Sequence, residues 1–320
     1  MPQSLRNTQI DTMKGFAILL VLLGHRFMTN TVEGVQHPMT IIIYSFHMAF
    51  FFFISGYVNE YTGQFSKKSS YTYLLDKLRT ILMPFFVWSL ICYITDGGSS
   101  IENFFTRLNF YPERGYWFLP IIFAFFTISL IFNRLNIKSG GVIFIILLLI
   151  VMGLYFKHVY PIWYASYFLA FVLGEYMAKK NYAEYLTRKS IYGISTILLI
   201  LCWCVYPLDA TSIGKLINLC MMFLIAFTSC ITIFNFFKVA KLPCFVEKYF
   251  CEIGKYTLVL YLVPILILPP RTYTVDSQLT FTTVNLVIIA VAVLHSIISY
   301  VIGRIVYEIP YLRFILFGKK

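Results

Sequence analysis

Charged residues are scarce in this sequence of 320 residues, since Asp, Glu, Lys and Arg together make up 12% of it. Soluble domains carry about 25%, so a soluble globular domain is excluded. Hydrophobic residues reach 59% and aromatic residues 19%, which is typical of lipid-facing helices with aromatic interfacial belts. The net charge of +12 comes from basic residues that lie between apolar runs. Without a basic domain, we expect no nucleic-acid partner.

The sequence also lacks the short motifs of several enzyme classes. It contains no HExxH, GxSxG or P-loop pattern, which argues against zinc proteases, serine hydrolases and nucleotide hydrolases. Its seven cysteines fall mostly inside apolar segments, without a metal-spaced pair, so we expect reduced thiols and no metal site. No small-residue cleavage site follows the polar start, and we therefore expect the first apolar run to remain in the mature protein.

Apolar segments recur throughout the chain and are long enough to cross a hydrocarbon core of about 30 Å. Such a crossing takes roughly 17–25 helical residues once interfacial ends are counted. The segments predict an all-α integral membrane protein, a bundle of about ten transmembrane helices that forms one domain over residues 1–320. They lie near residues 14–30, 39–60, 80–95, 116–133, 141–157, 161–178, 190–207, 214–236, 255–270 and 281–303.

The distribution of lysine and arginine predicts the orientation of these helices. Twenty of the 26 basic residues fall in alternate segments, beginning with the N-terminal one. Cytoplasmic segments of membrane proteins retain basic residues. We therefore expect both termini to lie in the cytoplasm, which also requires an even number of spans.

The first span carries titratable residues, which are costly inside a membrane and are often functional. Lys14 and His25 are eleven residues apart, which places them within about 20° of one another on a helix and about 16 Å apart along its axis. One interpretation makes His25 a general base and Lys14 an anchor for an anion at the inner end. In the other, Lys14 reaches lipid phosphate and His25 hydrogen-bonds to a neighbouring helix.

Three further residues accompany this pair. His47 in the second span is predicted to lie at a depth similar to that of His25 and is a second catalytic candidate, with a packing histidine as the alternative. Asp11 either orients Lys14 or His25 or is a solvated carboxylate. Arg26 projects about 100° away from His25 and is treated as an accessory residue.

Two stretches resemble a known family. IDTMKGFAILLVLLGH contains Lys14 and His25, and FHMAFFFFISGY contains His47. Both are similar to membrane-bound acyltransferase family 3, the inner-membrane O-acyltransferases, in the branch that includes fucose 4-O-acetylase-like proteins. Weaker matches are KLRTILMPFFVWSL, GYWFLP and FVLGEYMAKK. The chain departs from the family at Pro264, where relatives often have a histidine, so no role for that histidine is carried over.

The resemblance implies transfer of an acyl group, commonly acetyl from acetyl-CoA, to a hydroxyl of a cell-envelope glycan or lipid-linked sugar. It implies a multi-pass protein of the bacterial inner membrane with no permanently bound cofactor. His25 would be the base, and Lys14, Lys77 and Arg79 would bind the donor phosphates, although inner lysines and arginines also occur for topology alone. Trp117 would line the acceptor site or belong to an interfacial belt.

Two other functions remain open from the sequence. The first is a transporter or flippase for a lipid-linked glycan, which also needs many spans and a polar interior. The second is a non-catalytic subunit of a polysaccharide synthesis complex, in which His25 would be dispensable.

Overall fold

The computed structural model describes residues 7–32, 38–95, 97, 104, 105, 108, 116–137, 139–156, 160–179, 184–206, 212–267, 273–275 and 281–319. Most of these residues are helical. The helices are α1 (Thr8–Thr29), α2 (Pro38–Tyr61), α3 (Gln64–Lys67), α4 (Ser70–Lys77), α5 (Met83–Thr95), α6 (Phe118–Arg134), α7 (Ser139–Tyr155), α8 (Tyr160–Ala178), α9 (Lys189–Val205), α10 (Ser212–Val239), α11 (Cys244–Gly254), α12 (Thr257–Ile267), α13 (Phe281–Glu308) and α14 (Pro310–Phe317).

Four helical stretches in the described part of the chain are long and apolar enough to cross a membrane, by length and composition. They are Pro38–Tyr61, Ser70–Thr95, Ile217–Val239 and Thr283–Glu308. Shorter apolar helices cover Phe118–Arg134, Gly140–Tyr155 and Lys189–Val205. The prediction of a helical membrane protein is confirmed. The ten crossings and the cytoplasmic termini stay predictions.

The chain forms two compact units. The first unit consists of Met1–Tyr61, Leu169–Thr257 and Pro270–Ile298, and the second of Thr62–Phe168, Leu258–Pro269 and Ser299–Lys320. Of the predicted site residues, the first unit contains Asp11, Lys14, His25, Arg26 and His47, and the second contains Lys77, Arg79 and Trp117.

Helix α1 is central to the first unit, where it packs against α2 and α11. Phe16 on α1 makes edge-to-face ring contacts with Phe50 of α2 and Phe250 of α11. Gly15 and Gly254 allow α1 and α11 to cross closely, because a Cβ at Gly15 would overlap the backbone of Phe250, and one at Gly254 would overlap the backbone of α1. The N-terminal end of α1 is therefore fixed by backbone contact.

A short ribbon fixes the other end of α1. Residues Asn30–Val32 continue directly from α1 and pair in parallel with Tyr273–Val275. This ribbon was not predicted from the sequence, and its two strands are more than 240 positions apart in the chain. His25 lies only four residues before the end of α1, so the ribbon holds the helix close to this side chain.

The second unit differs from the prediction at the start of its first long helix. The sequence predicted a span from residue 80, whereas the helical stretch begins at Ser70. Ser69 caps it by accepting a hydrogen bond from the backbone N–H of Thr72 (3.2 Å), which satisfies an orphan donor of the first turn. Hydropathy had identified only the apolar part of this helix. A π-helical turn, Leu78–Leu82, joins α4 to α5 and contains Arg79.

Candidate functional site

His25 on α1 faces Tyr44 on α2. The Tyr44 hydroxyl oxygen lies 3.2 Å from His25 Nδ1 and also donates to the sulfur of Met28 at 3.2 Å. The two helices pack directly against each other. His25 thus hydrogen-bonds to a neighbouring helix, as one sequence interpretation proposed, while its side chain remains exposed.

Tyr44 also brings the two predicted histidines together. Its ring centroid lies 6.2 Å from that of His25 and 4.9 Å from that of His47, with edge-to-face geometry in both pairs. Such edge-to-face contacts are the favoured arrangement for aromatic rings. The two imidazoles therefore share one tyrosine as a common neighbour.

The two histidines differ in accessibility. His47 is buried, with 4% of its surface exposed, and its Nδ1 lies 2.8 Å from the carbonyl oxygen of Ile43. A carbonyl only accepts, so Nδ1 carries the proton and Nε2 of the neutral ring is the accepting nitrogen. His25 is exposed and is therefore the more accessible imidazole of the pair.

Lys14 and Asp11 form a pair near the start of α1. Lys14 Nζ lies 3.6 Å from Asp11 Oδ1, and the carboxylate side chain is 4% exposed while the lysine side chain is 27% exposed. His25 is fourteen residues from Asp11, or about 21 Å along the helix axis. Asp11 thus pairs with Lys14 and does not orient His25. The buried carboxylate holds an accessible ammonium group.

Arg26, the accessory candidate beside His25, is half-buried. It lies within electrostatic range of His25 and of His295, a buried residue of α13. The guanidinium adds positive charge near His25 and His295, because arginine stays protonated in proteins.

Lys77 and Arg79, the other predicted donor ligands, have contacts within the second unit. Lys77 Nζ lies 3.4 Å from the ring centroid of Phe126, a cation–π geometry. Arg79 donates from Nη2 to Asp76 (3.2 Å) and from Nε to the carbonyl of Gly318 (3.1 Å). Through these contacts the Arg79 side chain links the π-helical turn to the C-terminal segment.

Trp117 is part of an aromatic stack in the second unit. Its ring lies nearly parallel to those of Tyr164 and Tyr167, with centroids 6.1 and 6.0 Å away and interplanar angles of 29° and 28°. The adjacent Tyr116 is buried and donates to the carbonyl of Leu262 at 3.0 Å. Trp117 is consequently held in a fixed orientation.

Tyr44 and Met28 were not predicted from the sequence as site residues. Both carried a local signal, because Tyr44 precedes His47 by three residues and Met28 follows His25 by three, a spacing that places side chains on the same face of a helix. Within the described residues, no group of three or more His, Cys, Asp or Glu side chains is arranged to hold a metal ion.

A family model described as an acyltransferase domain, of the acyltransferase 3 type, matches residues 7–304. The nodulation protein NolL of Sinorhizobium fredii is 29% identical over 150 residues, which cover 43% of this chain and 40% of that protein. NolL of Mesorhizobium japonicum is 27% identical over 144 residues, 41% of this chain and 38% of that protein. The chain thus spans about 40% of the length of these curated relatives. No solved structure matches significantly.

Proposed function

We propose that this chain, which belongs to the acyltransferase 3 family and is a membrane acyltransferase, moves an acyl group from cytoplasmic acyl-CoA to a hydroxyl of a cell-envelope glycan or lipid-linked sugar. Acetyl is the expected group. The observation that carries the proposal is the exposed His25, which contacts Tyr44 of α2. His25 lies on α1, the helix that also carries Lys14.

His25 would act as the general base. A sugar hydroxyl is a weak nucleophile, and a positioned base contributes roughly 10²–10⁴-fold to the rate of such a step. In the proposed reaction the hydroxyl oxygen attacks the thioester carbonyl while the imidazole takes the hydroxyl proton. The carbon–sulfur bond then breaks, and the imidazolium returns the proton to the sulfur of CoA. His47 supports the site through its contact with Tyr44.

Donor binding is proposed at the inner end of α1. The accessible Lys14 ammonium is suited to a phosphate of CoA, and Asp11 restrains it. Lys14 and His25 are separated by about 16 Å along α1, so the extended pantetheine arm would run along this helix toward His25. Lys77 and Arg79, in the second unit, stay proposed ligands of donor phosphates, which would share these side chains with their ring and carboxylate contacts.

Acceptor binding is proposed at Trp117. Its stack with Tyr164 and Tyr167 gives a rigid aromatic surface, and aromatic faces suit the apolar faces of sugar rings. The proposed orientation has ten spans and cytoplasmic termini, as the lysine and arginine distribution indicates. The family resemblance places these spans in a bacterial inner membrane. No permanently bound cofactor is required, because acyl-CoA supplies the group that is transferred.

The test of the base is acyl transfer in proteoliposomes with labelled acetyl-CoA and candidate glycans. His25→Ala should lower the transfer rate by roughly 10²–10⁴-fold, while its unfolding temperature in detergent stays close to that of the wild type. Undiminished transfer by a folded His25→Ala protein would exclude the base assignment.

A truncated donor tests Lys14 separately. Lys14→Ala should weaken the affinity for acetyl-CoA but leave transfer from acetyl-pantetheine, which has no nucleotide phosphates, unchanged. Lys248→Ala is the matched control, because Lys248 is an exposed lysine on α11 in the same unit. Equal losses in both variants would show that general positive charge, and no specific contact at Lys14, attracts the donor.

A further inference from the structure

The hydroxyl of Tyr44 makes two contacts that together determine where its proton lies. Its oxygen is 3.2 Å from His25 Nδ1 and 3.2 Å from Met28 Sδ. A tyrosine hydroxyl has one proton to donate, and a thioether sulfur can only accept. Both contacts are hydrogen bonds at the same time only if Tyr44 donates to Met28 and accepts from His25.

The consequence for His25 is a defined tautomer. If Tyr44 accepts from Nδ1–H, then the neutral imidazole carries its lone pair on Nε2. We infer that Tyr44 is a positioning residue that holds His25 in the Nδ1–H tautomer, so that Nε2 is the nitrogen that takes the proton of the acceptor hydroxyl. This inference rests on the proposed role of His25 as the base.

The neighbouring histidine supports the same arrangement. His47 is held in its Nδ1–H form by the carbonyl of Ile43, which is the residue before Tyr44 on α2. One turn of α2 therefore sets the tautomers of two imidazoles, one through a backbone carbonyl and the other through a hydroxyl. The Tyr44 ring is itself in contact with both imidazole rings, which restrains its rotation.

The rate effect of losing this contact is expected to be modest. In the serine protease triad, replacing the aspartate that orients the histidine leaves the wrong tautomer and lowers kcat about 10⁴-fold. That orienting group is a buried carboxylate. Tyr44 is neutral, and a neutral hydrogen bond has a smaller net effect. We therefore expect roughly a 10-fold loss of kcat when the hydroxyl is removed.

Three variants test the inference. Tyr44→Phe removes the hydroxyl and should lower kcat about 10-fold without changing KM for acetyl-CoA. Met28→Leu removes the sulfur acceptor, so that the Tyr44 proton turns to His25 Nδ1 and the imidazole shifts toward the Nε2–H form. Tyr57→Phe is the matched control, because Tyr57 lies on the same helix and stacks on Tyr61 at 5.9 Å. It should leave both kcat and the tautomer unchanged.

The tautomer is read by ¹⁵N NMR of histidine-labelled protein in lipid, with the His25 signals assigned by their loss in His25→Gln. The inference requires a protonated Nδ1 and an unprotonated Nε2 in the wild type, and a shift of that ratio in Met28→Leu. A wild-type His25 protonated at Nε2, or a Tyr44→Phe protein with the kcat of wild type, would overturn it.

These outcomes separate the inference from the proposed function. If the wild-type protein shows the Nδ1–H tautomer but transfers no acyl group to any glycan, the proposed function fails while the tautomer assignment stands. If transfer requires His25 but neither the tautomer nor kcat responds to Tyr44→Phe, the positioning role fails alone.

Discussion

Replacing Gly15 by alanine tests the close crossing that sets the position of α1. A Cβ at this residue would overlap the carbonyl oxygen of Phe250 and would lie 2.6 Å from its carbonyl carbon and 2.8 Å from its Cα. These are backbone atoms of α11, which cannot rotate away as a side chain can. The two helices must therefore separate before the methyl group fits.

The magnitude follows from two opposing effects. Overpacking of a tight interface costs about 1–3 kcal/mol, and contact with backbone atoms places Gly15→Ala at the upper end. Alanine also favours the helix over glycine by about 1 kcal/mol. We expect Gly15→Ala to lower the free energy of unfolding by about 2 kcal/mol, the difference between these effects.

The matched control is Gly193→Ala on α9 of the same unit. Gly193 is exposed and has no atom within 4 Å of the added Cβ, so only the gain in helix propensity applies, and stability should stay level or rise. Both proteins are compared by thermal unfolding in the same detergent. If Gly15→Ala proved as stable as Gly193→Ala, the close crossing of α1 and α11 would be refuted.

Three other substitutions have defined outcomes. Asn59→Asp should destabilise the protein at neutral pH, because Asn59 is buried and donates to Glu175 at 3.1 Å, and two adjacent carboxylates repel until one takes a proton. Thermal unfolding in mild acid should show that part of the lost stability is recovered. A stability loss that does not depend on pH would contradict this. Arg79→Lys keeps the charge but loses the bond to Gly318, so hydrogen exchange should accelerate in α14, and unchanged protection would refute the link. Trp117→Leu should raise KM for the glycan up to about 10-fold, as expected for loss of an aromatic contact, and should leave KM for acetyl-CoA unchanged. An equal rise in both KM values would argue against an acceptor site at Trp117.

The membrane class and the first helix were predictable from the sequence because both depend on local pattern. Composition alone excluded a soluble domain. The eleven-residue spacing of Lys14 and His25 keeps its meaning because α1 runs without interruption from Thr8 to Thr29. Depth along two adjacent spans also suggested that His47 lies near His25, and the structure places both beside Tyr44.

Tyr44 itself was not predictable by the same reasoning. The chain has 24 tyrosines, and a neutral residue in an apolar helix does not stand out as a titratable one does. Which of its faces α2 turns toward α1 depends on packing, and α2 is apolar around most of its circumference. The rotation of such a helix is therefore set by its neighbours, which a single sequence does not specify.

Long-range backbone contacts were missed for a related reason. The ribbon between Asn30–Val32 and Tyr273–Val275 pairs two three-residue strands, each too short to show an alternating pattern. The bond from Arg79 to Gly318 joins residues 239 positions apart. Neither contact leaves a periodic signal in either segment, so only the folded chain shows it.

The two ends of α1 give the proposed site its geometry. At the N-terminal end, backbone contact with α11 fixes the turn that carries Asp11 and Lys14. At the other end the ribbon continues directly from the helix, which ends four residues beyond His25. Because an uninterrupted helix has a fixed rise, anchoring both ends sets the separation between an ammonium group and an imidazole. Under the proposed function, a donor that binds by its phosphates at Lys14 would have to span this separation with its own arm to bring its thioester to His25.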